Sequence, residues 1–258
     1  GAQGGHLDGV AELVAAASRG SERRWLLVVA DLSTRPRDFV GGPAQGTIGP
    51  AGRRGIGRRA RGLVVAVLEA EPIIGEGISA RNSEVIHGGL YYATGSLKAR
   101  LCVQGRRALY AFLDTHKVAY DRCGKLVVAT SPAEVERLDV ILEQARTNDV
   151  EGMARLTKAQ ALELEPQLRC EEALISPQSG VFDSHGYMLA LQGEIEAAGG
   201  AVVLGTPFEG AEPFAGGGFK VRAGGADPTS LTCRLLVTAP GLSAQNVAGR
   251  VEGYPADR

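Results

Sequence analysis

From residue 63 onward, apolar and polar positions alternate in blocks that predict a mixture of strands and helices. The run LVVAVLE at 63–69 is short, apolar and rich in β-branched residues, which predicts a buried strand that ends in an acid, Glu69. Apolar residues recur every three or four positions between 96 and 116, which predicts an amphipathic helix. The other predicted elements are a strand at 125–130, a helix at 131–147, a short helix from 157 that ends before Pro166, two short strands between 171 and 183, a helix at 184–198, and strands at 201–204, 206–214, 219–221 and 231–238.

The helix starts carry their own signals. Ser131 is followed by a proline at the first helical position and by Glu134, which predicts an N-cap with a capping box. Thr157 and Gln160 repeat the capping-box spacing. These signals make the central part of the chain a regular α/β sequence without an internal repeat.

The first 62 residues break this pattern. Residues 41–62 are almost entirely Gly, Pro, Ala and Arg, so they offer no apolar face and are expected to be loop or disordered. Residues 10–31 have apolar positions that suit a helix followed by a strand at 25–31. That run is a candidate replacement for a missing first strand, but we interpret it as an incidental apolar run.

Composition narrows the classes of function. The chain of 258 residues is long enough for one large or two modest domains, and its net charge of −1 gives no electrostatic reason to expect nucleic acid as a partner. It contains no apolar run long enough to span a membrane and does not start with a secretory signal. The four cysteines lie too far apart for a zinc knuckle or a redox pair. A cytoplasmic enzyme is expected, with a peripheral position at the inner membrane as the other possibility.

The chemistry is concentrated after the strand at 63–69. A carboxylate at the carboxyl end of a buried strand is how a dinucleotide-binding fold holds ribose hydroxyls, and a small, polar, Gly-rich loop allows a close approach to pyrophosphate. Glu69 and the loop from Ser79 to Tyr92 have these properties. Together they indicate a flavin enzyme.

Five stretches also resemble a known family. They are EAE at 69–71, ARNSEVIHGGLYY at 80–92, SLKARLCVQG at 96–105, CGKLVVA at 123–129 and LLVTAPGL at 235–242. They are similar to the FAD-dependent oxidoreductases of the D-amino-acid-oxidase-like superfamily, closest to the branch that oxidises L-2-hydroxyglutarate. The resemblance implies a mixed α/β (α+β) fold in which a Rossmann-like FAD-binding domain is interleaved with an antiparallel-sheet substrate domain, apparently incomplete at both ends. The implied division is an atypical segment at 1–62, an FAD-binding domain at 63–95 and 184–258, and a substrate domain mainly at 96–183.

The resemblance also implies site residues. His87 is the candidate catalytic base or substrate-orienting group, against the alternative of a structural histidine. The candidate cofactor-binding residues are Glu69, Ser79, Arg81, Asn82, Ser83, Gly49, Gly52, Gly55, Ala239 and Gly241.

The predicted phosphate-binding turn departs from the family pattern. Residues 48–55 look like a G-x-G-x-x-G turn with one residue too many, and only 14 positions separate Gly55 from Glu69, too few for a crossover helix and a second strand. Three explanations are open: a natural extension, a degraded motif, or a reading-frame error up to about Leu63. The glycines persist in near-register while the apolar pattern disappears, which favours the frame error.

Other residues have two interpretations. Tyr91 and Tyr92 suit either packing beside a flavin or a buried core. Basic residues of this region suit either clamps for a diacid substrate or a solvated helix face, and they are Lys98, Arg100, Arg106, Arg107 and Lys125. His6, His116 and His185 lack metal-ligand spacing, so no metal is predicted.

The implied reaction is the oxidation of a small L-2-hydroxy acid, L-2-hydroxyglutarate, to the 2-oxo acid with FAD, the electrons passing on to oxygen or a quinone. Two alternatives stay open at this point. One is an amine or amino-acid oxidase of the glycine or sarcosine oxidase type, and the other is a non-catalytic fragment of such an enzyme.

Overall fold

The structure is a computed structural model that describes residues 25–30, 64–76, 79, 81–198 and 200–255. The chain divides into two compact units. We call Gly1–Asn82 with Tyr187–Arg258 the flanking unit, and Ser83–Gly186 the inserted unit. The sequence placed the domain boundaries at 95/96 and 183/184, whereas the division by contacts falls at 82/83 and 186/187.

Strands and helices follow one another as expected of a mixed α/β chain. The strands are β1 (Trp25–Ala30), β2 (Val64–Glu69), β3 (Val85–Ile86), β4 (Tyr120–Asp121), β5 (Leu126–Ala129), β6 (Ala154–Thr157), β7 (Glu172–Ile175), β8 (Gly180–Phe182), β9 (Ala201–Val203), β10 (Phe208–Pro213), β11 (Phe219–Ala223), β12 (Thr229–Cys233) and β13 (Leu235–Ala239). The helices are α1 (Leu97–His116), α2 (Pro132–Thr147), α3 (Lys158–Leu164), α4 (Ser184–Ala197) and α5 (Ala244–Ala248).

The flanking unit is built on a four-stranded sheet in the order β13-β1-β2-β9. Strand β2 is parallel to β9, as in a Rossmann-like sheet, and β1 is antiparallel to both of its neighbours. Strands β13, β2 and β9 therefore run in one direction and β1 alone runs in the other.

Strand β1 corrects one interpretation of the sequence. The run at 25–31 is not an incidental apolar run, because residues 25–30 pair along their whole length with β2 and along most of it with β13. An apolar, β-branched segment satisfies its backbone groups best between two strands that need partners on both sides. The helix expected before it lies outside the described residues.

A second sheet of the flanking unit contains β10, β11 and β12, all antiparallel. Its buried residues, among them Phe208 and Val221, pack with Ala66 and Leu68 of β2 into one core cluster. The single strand predicted at 231–238 is wrong. Arg234 and Leu235 are both exposed, and this break in alternation separates β12, which pairs with β11, from β13, which pairs with β1.

The inserted unit holds two three-stranded antiparallel sheets, β3-β8-β4 and β5-β7-β6, with helices α1, α2 and α3. Its apolar residues form several clusters, one of which joins Leu90 to Val103 of α1 and Ala145 of α2. Strands β3, β4 and β6 were not predicted, because such short segments are strands only through pairing with a distant partner.

The helix caps follow the predicted chemistry in part. The predicted Thr157–Gln160 capping box is complete. Ser96, which was not predicted as a cap, accepts the Ala99 N–H at 3.1 Å. The capping box predicted at the start of α2 is not formed, because the Ser131 side chain makes no hydrogen bond to the helix. The Glu134 carboxylate instead accepts hydrogen bonds from the Thr130 N–H and hydroxyl, both at 2.7 Å. Within the described residues, no helix is long and apolar enough to cross a membrane.

Candidate functional site

Glu69 ends β2 with its side chain inside the protein, only 1% exposed. One carboxylate oxygen accepts the Glu71 N–H at 2.9 Å, which fixes the turn that follows the strand. The Glu69 carbonyl accepts the Thr206 N–H at 2.8 Å, so the same turn is joined to the segment after β9. An acid therefore lies at the carboxyl edge of the parallel strands, where this class of sheet binds ligands.

Burial dominates the electrostatics of this group. Desolvation raises the pKa of the Glu69 carboxyl from 4.5 to about 7, against the lowering effect of its hydrogen bond from Glu71. A hydrogen-bond donor beside this oxygen, such as a ribose hydroxyl, would favour the ionised form.

The second predicted flavin motif meets the same edge. Ala239, the last residue of β13, lies opposite Trp25 of β1, and Trp25 also lies opposite Glu69. After β13 the chain turns through Pro240 and Gly241, whose φ of 57° is in the left-handed region that glycine adopts without strain. Glu69 and the Ala239–Gly241 corner are thus brought to one edge of one sheet, on either side of β1.

The direction of β1 matters for the phosphate-binding turn. The register pairs Trp25 with Glu69 and Ala30 with Val64, so β1 begins at the ligand edge and ends at the opposite edge. In a dinucleotide-binding fold the first strand ends at the ligand edge and leads into the Gly-rich turn. Strand β1 runs in the opposite direction, so its last described residue, Ala30, lies at the edge away from Glu69. Gly49, Gly52 and Gly55 lie outside the described residues.

The loop at 76–82 uses its polar side chains locally. Arg81 Nη1 donates to the Glu76 carbonyl at 2.9 Å, and Asn82 Nδ2 donates to the Ser79 carbonyl at 2.7 Å. Arg81, Asn82 and Ser83 are exposed, and Ser79 is half-buried. Their assignment to the cofactor stays a prediction; the observed role of Arg81 and Asn82 is to close the loop.

The inserted unit presents His87 at the end of a short strand. Strand β3 pairs with β8, Val85 with Val181 and Ile86 with Gly180, so the two residues before His87 are fixed by a ladder. Before them, Glu84 adopts a φ of 55° and its carboxylate accepts the Ser184 N–H at 3.0 Å and hydroxyl at 2.7 Å. A non-glycine residue with positive φ is rare, and these bonds to the start of α4 hold it there.

The two glycines after His87 are required by packing. A Cβ on Gly88 would lie 2.9 Å from Ser176 Oγ and 3.2 Å from Ser179 Oγ, two buried hydroxyls that are hydrogen-bonded to each other at 3.1 Å. Gly89 has a φ of 95°, and its Cβ would lie 3.0 Å from Val103 on α1. Leu90 is then buried in the core. The loop backbone is thereby fixed while the His87 side chain stays exposed.

Tyr91 and Tyr92 are not core residues. Tyr91 is 48% exposed, and Lys125 Nζ lies 5.0 Å from the centre of its ring. Tyr92 is half-buried below Lys98, whose Nζ lies 4.5 Å from the ring centre. The Tyr92 carbonyl accepts the side-chain amide of Gln144 in α2 at 2.5 Å and that of Asn148, the residue after α2, at 2.8 Å. Each tyrosine of the motif therefore supports one lysine ammonium.

Two of the other basic candidates are neutralised. Arg106, whose side chain is 3% exposed, and Arg107 both bind the Glu151 carboxylate. They line an open cavity of about 340 Å³ together with Tyr110, Arg122 and other residues of the inserted unit. Arg100 is exposed on α1. In the described part of the chain, no group of three or more His, Cys, Asp or Glu side chains gathers as a metal site would.

Comparison with known proteins decides the ancestry. The family model DAO, described as FAD dependent oxidoreductase, matches residues 56–257. The chain belongs to the DAO family of FAD-dependent oxidoreductases. The resemblance carried by the motif at 80–92 is thus confirmed, together with FAD as the cofactor of the family.

Curated relatives share one name, "L-2-hydroxyglutarate dehydrogenase, mitochondrial". The Caenorhabditis elegans protein is 38% identical over 188 residues, which is 72% of this chain and 43% of that protein. The Arabidopsis thaliana protein is 44% identical over 131 residues, 51% of this chain and 27% of its own length. The chain spans about half the length of the curated relatives it matches, or less.

Two solved structures support the fold. The chain matches glycine oxidase from Geobacillus kaustophilus with a TM-score of 0.63 and 23% identity, over 74% of this chain and 52% of that one. It also matches L-α-glycerophosphate oxidase from Mycoplasma pneumoniae with FAD bound, with a TM-score of 0.55 and 21% identity, over 60% of this chain and 42% of that one. The predicted mixed α/β class is confirmed.

The described residues therefore suit FAD at two points, the buried acid of β2 and the corner after β13. Sequence reasoning missed the partners that support the site. Ser176 and Ser179 lie in a stretch that reads as an ordinary Pro- and Gly-containing turn, and Glu84 gave no sign of its left-handed backbone. Their roles come from residues far along the chain, which no local pattern indicates.

Proposed function

We propose that this chain is the part of a DAO-family enzyme that oxidises a small L-2-hydroxy acid, L-2-hydroxyglutarate, to its 2-oxo acid. The observation that carries the proposal is the loop at 84–92, in which every backbone turn is held by packing or hydrogen bonds while His87 faces solvent. The identity of 38% with an L-2-hydroxyglutarate dehydrogenase over 188 residues supports the substrate.

His87 would accept the hydroxyl proton of the substrate. A histidine has a pKa near neutrality, so its imidazole is a base at physiological pH. The Cys102 thiol donates to the His87 carbonyl at 3.4 Å, and Gly88 packs so closely on Ser176 that an added Cβ would lie 2.9 Å from its Oγ. Such a rigid backbone keeps the imidazole in place, which is the condition for efficient proton transfer.

For the cofactor, Glu69 would bind ribose hydroxyls, and the backbone at Ala239 and Gly241 would allow a close approach of the flavin. Ser79, Arg81, Asn82 and Ser83 remain the proposed donors to the pyrophosphate and flavin edge, which for Arg81 and Asn82 requires the local bonds to open. When bound, FAD supplies the acceptor for the hydride from substrate C2.

The terminal electron acceptor and the location are part of the same proposal. Oxygen or a quinone would take up the electrons, and the location proposed from the sequence is cytoplasmic, or peripheral at the inner membrane. The names of the curated relatives call those proteins mitochondrial.

The test is anaerobic reduction of the flavin-loaded chain by L-2-hydroxyglutarate, with glycine and glycerol 3-phosphate as comparison substrates. We expect bleaching of the flavin band with the hydroxy acid alone, and a fall of about 100- to 10,000-fold in the reduction rate in His87→Asn. The matched control is His185→Asn, which alters an exposed histidine of the same unit and should leave the rate unchanged. Equal rates in both variants would remove His87 from the mechanism.

A second candidate, a non-catalytic fragment, is favoured by one observation, which is the direction of β1. If the chain lacks a phosphate turn at the ligand edge, it is a non-catalytic fragment of a DAO-family enzyme. Incubation with FAD followed by gel filtration separates the two readings, because a visible flavin spectrum in the protein peak supports the enzyme and its absence supports the fragment.

A further inference from the structure

Backbone hydrogen bonds hold Lys125 close to the loop that carries His87. Its N–H donates to the Ser176 carbonyl at 3.1 Å, and its carbonyl accepts the Ser176 N–H at 2.8 Å. The preceding Gly124 donates to the Ser179 carbonyl at 3.0 Å. Ser176 and Ser179 are the residues whose hydroxyls meet Gly88. The turn at 176–179 therefore contacts both residues: it is hydrogen-bonded to the Lys125 backbone, and Gly88, the residue after His87, packs against it.

The other end of Lys125 returns to the same loop. Its ammonium lies 5.0 Å from the centre of the Tyr91 ring, four positions after His87. A lysine held over an aromatic face keeps its charge and gains a modest attraction, since the ring face is electron-rich. The ammonium is thus placed next to the loop that carries the proposed base.

Ion pairing and burial together separate Lys125 from the other basic candidates of the region. Arg106 and Arg107 are paired with Glu151, and Arg100 and Lys98 are exposed on α1. Lys125 is half-buried, and no described carboxylate forms an ion pair with it. A partly desolvated ammonium without an acid favours binding an external carboxylate.

We propose that Lys125 determines substrate specificity by binding the second carboxylate of a dicarboxylic 2-hydroxy acid. The assignment rests on the proposed function and narrows it to substrates with a carboxylate at both ends. The Tyr91 ring contacts the ammonium, and the turn at 176–179 holds the Lys125 backbone beside Gly88.

The first experiment compares oxidation of L-2-hydroxyglutarate with that of L-2-hydroxybutyrate, which lacks the distal carboxylate. We expect Lys125→Met to lower kcat/KM for the dicarboxylate by about 10- to 100-fold, mainly through KM, and to leave the monocarboxylate unaffected. Lys125→Arg should restore part of the selectivity. Lys98→Met, which removes the equivalent ammonium above Tyr92, is the matched control and should change neither value by more than about twofold.

The second experiment measures binding of glutarate to the full chain by calorimetry, and it does not depend on turnover because glutarate has no hydroxyl to oxidise. Weaker binding in Lys125→Met than in Lys98→Met supports the assignment even if the wild-type protein oxidises neither acid, a result that would reject only the proposed function. Equal glutarate binding in both variants overturns it. Unchanged selectivity of Lys125→Met, in a chain that does oxidise L-2-hydroxyglutarate, overturns it as well.

Discussion

The loop at 84–92 in the inserted unit and the ligand edge at Glu69 in the flanking unit reach their geometry in different ways. The loop is held by contacts of its own residues with Ser176, Ser179 and Ser184, so its shape depends on side chains that fit one another. The edge depends on the direction in which three neighbouring strands run.

Because the loop and the sheet edge are held in different ways, different changes in sequence would disrupt them. A packed loop tolerates changes elsewhere as long as its immediate neighbours remain. A strand edge keeps its end residues, Glu69 and Ala239, even when the strand between them runs the other way. The end of that strand, from which a dinucleotide-binding fold continues into its phosphate-binding turn, then lies at the opposite edge. Recognisable residues at an edge are therefore weaker support for a complete site than a recognisable loop.

The largest effect is expected from breaking β1. Leu27 lies in the middle of a strand that is paired on both sides, so Leu27→Pro removes a ladder hydrogen bond and should lower the free energy of unfolding by on the order of 3 kcal/mol. Trp25, the only tryptophan of the chain, reports on β1 by its fluorescence during urea unfolding. Leu27→Val is the control and should cost under about 1 kcal/mol. If both variants unfold at the same urea concentration, residues 25–30 are not part of the sheet.

Glu69 gives an effect that depends on pH. Because its folded-state pKa is raised from 4.5 to about 7, the folded protein binds this proton more tightly than the unfolded chain, and stability falls as the pH rises from about 4.5 to about 7. Glu69→Gln stays neutral, so at pH 8 it should be more stable than the wild type by up to about 3 kcal/mol, and at pH 4 nearly equal to it.

Urea unfolding at the two pH values measures this difference. Glu252→Gln, an exposed acid of the same unit, is the control and should stay within about 0.5 kcal/mol of the wild type at both. A Glu69→Gln profile parallel to that of the wild type would show that the edge is open to water rather than buried.

Gly88 tests the packed loop. Gly88→Ala places a methyl group against the buried Ser176 and Ser179 hydroxyls and should lower stability by about 1 to 3 kcal/mol. Gly105 lies within α1 with nothing near its Cβ position, so Gly105→Ala should raise stability by up to about 1 kcal/mol. Thermal or urea unfolding of both variants measures these changes in stability. A Gly88→Ala protein as stable as the wild type would contradict a tightly packed loop.

Much of the inserted unit could be predicted because its helices carry local signals. Thr157 caps its helix with the bonds that its sequence spacing indicates, and the ends of α1 and α2 fall within a residue of the prediction. The two-residue strand β3 could not be predicted, since Val85 and Ile86 become a strand only through β8, about a hundred positions later.

The flanking unit was harder to predict for a physical reason. An apolar run such as 25–30 indicates burial but carries no information about strand direction, which is decided by the neighbours that accept it. Glu69 was predicted from a local pattern and His87 from the resemblance of its loop to the family, and both roles stay predictions. The choice of Lys125 among five basic residues needed the structure, because pairing of Arg106 and Arg107 with Glu151 is invisible in the sequence.

The bond between Glu84 and Ser184 has a consequence for how this chain is assembled. The two residues are 100 positions apart, yet the first and last few residues of the inserted unit are joined by a carboxylate that accepts both a backbone and a hydroxyl hydrogen. Such bonds keep the two ends of the segment close together, a property of pieces of chain that tolerate insertion into another protein. Residues 83–186 are therefore a natural piece to excise, to express alone or to graft between two adjacent positions of another protein.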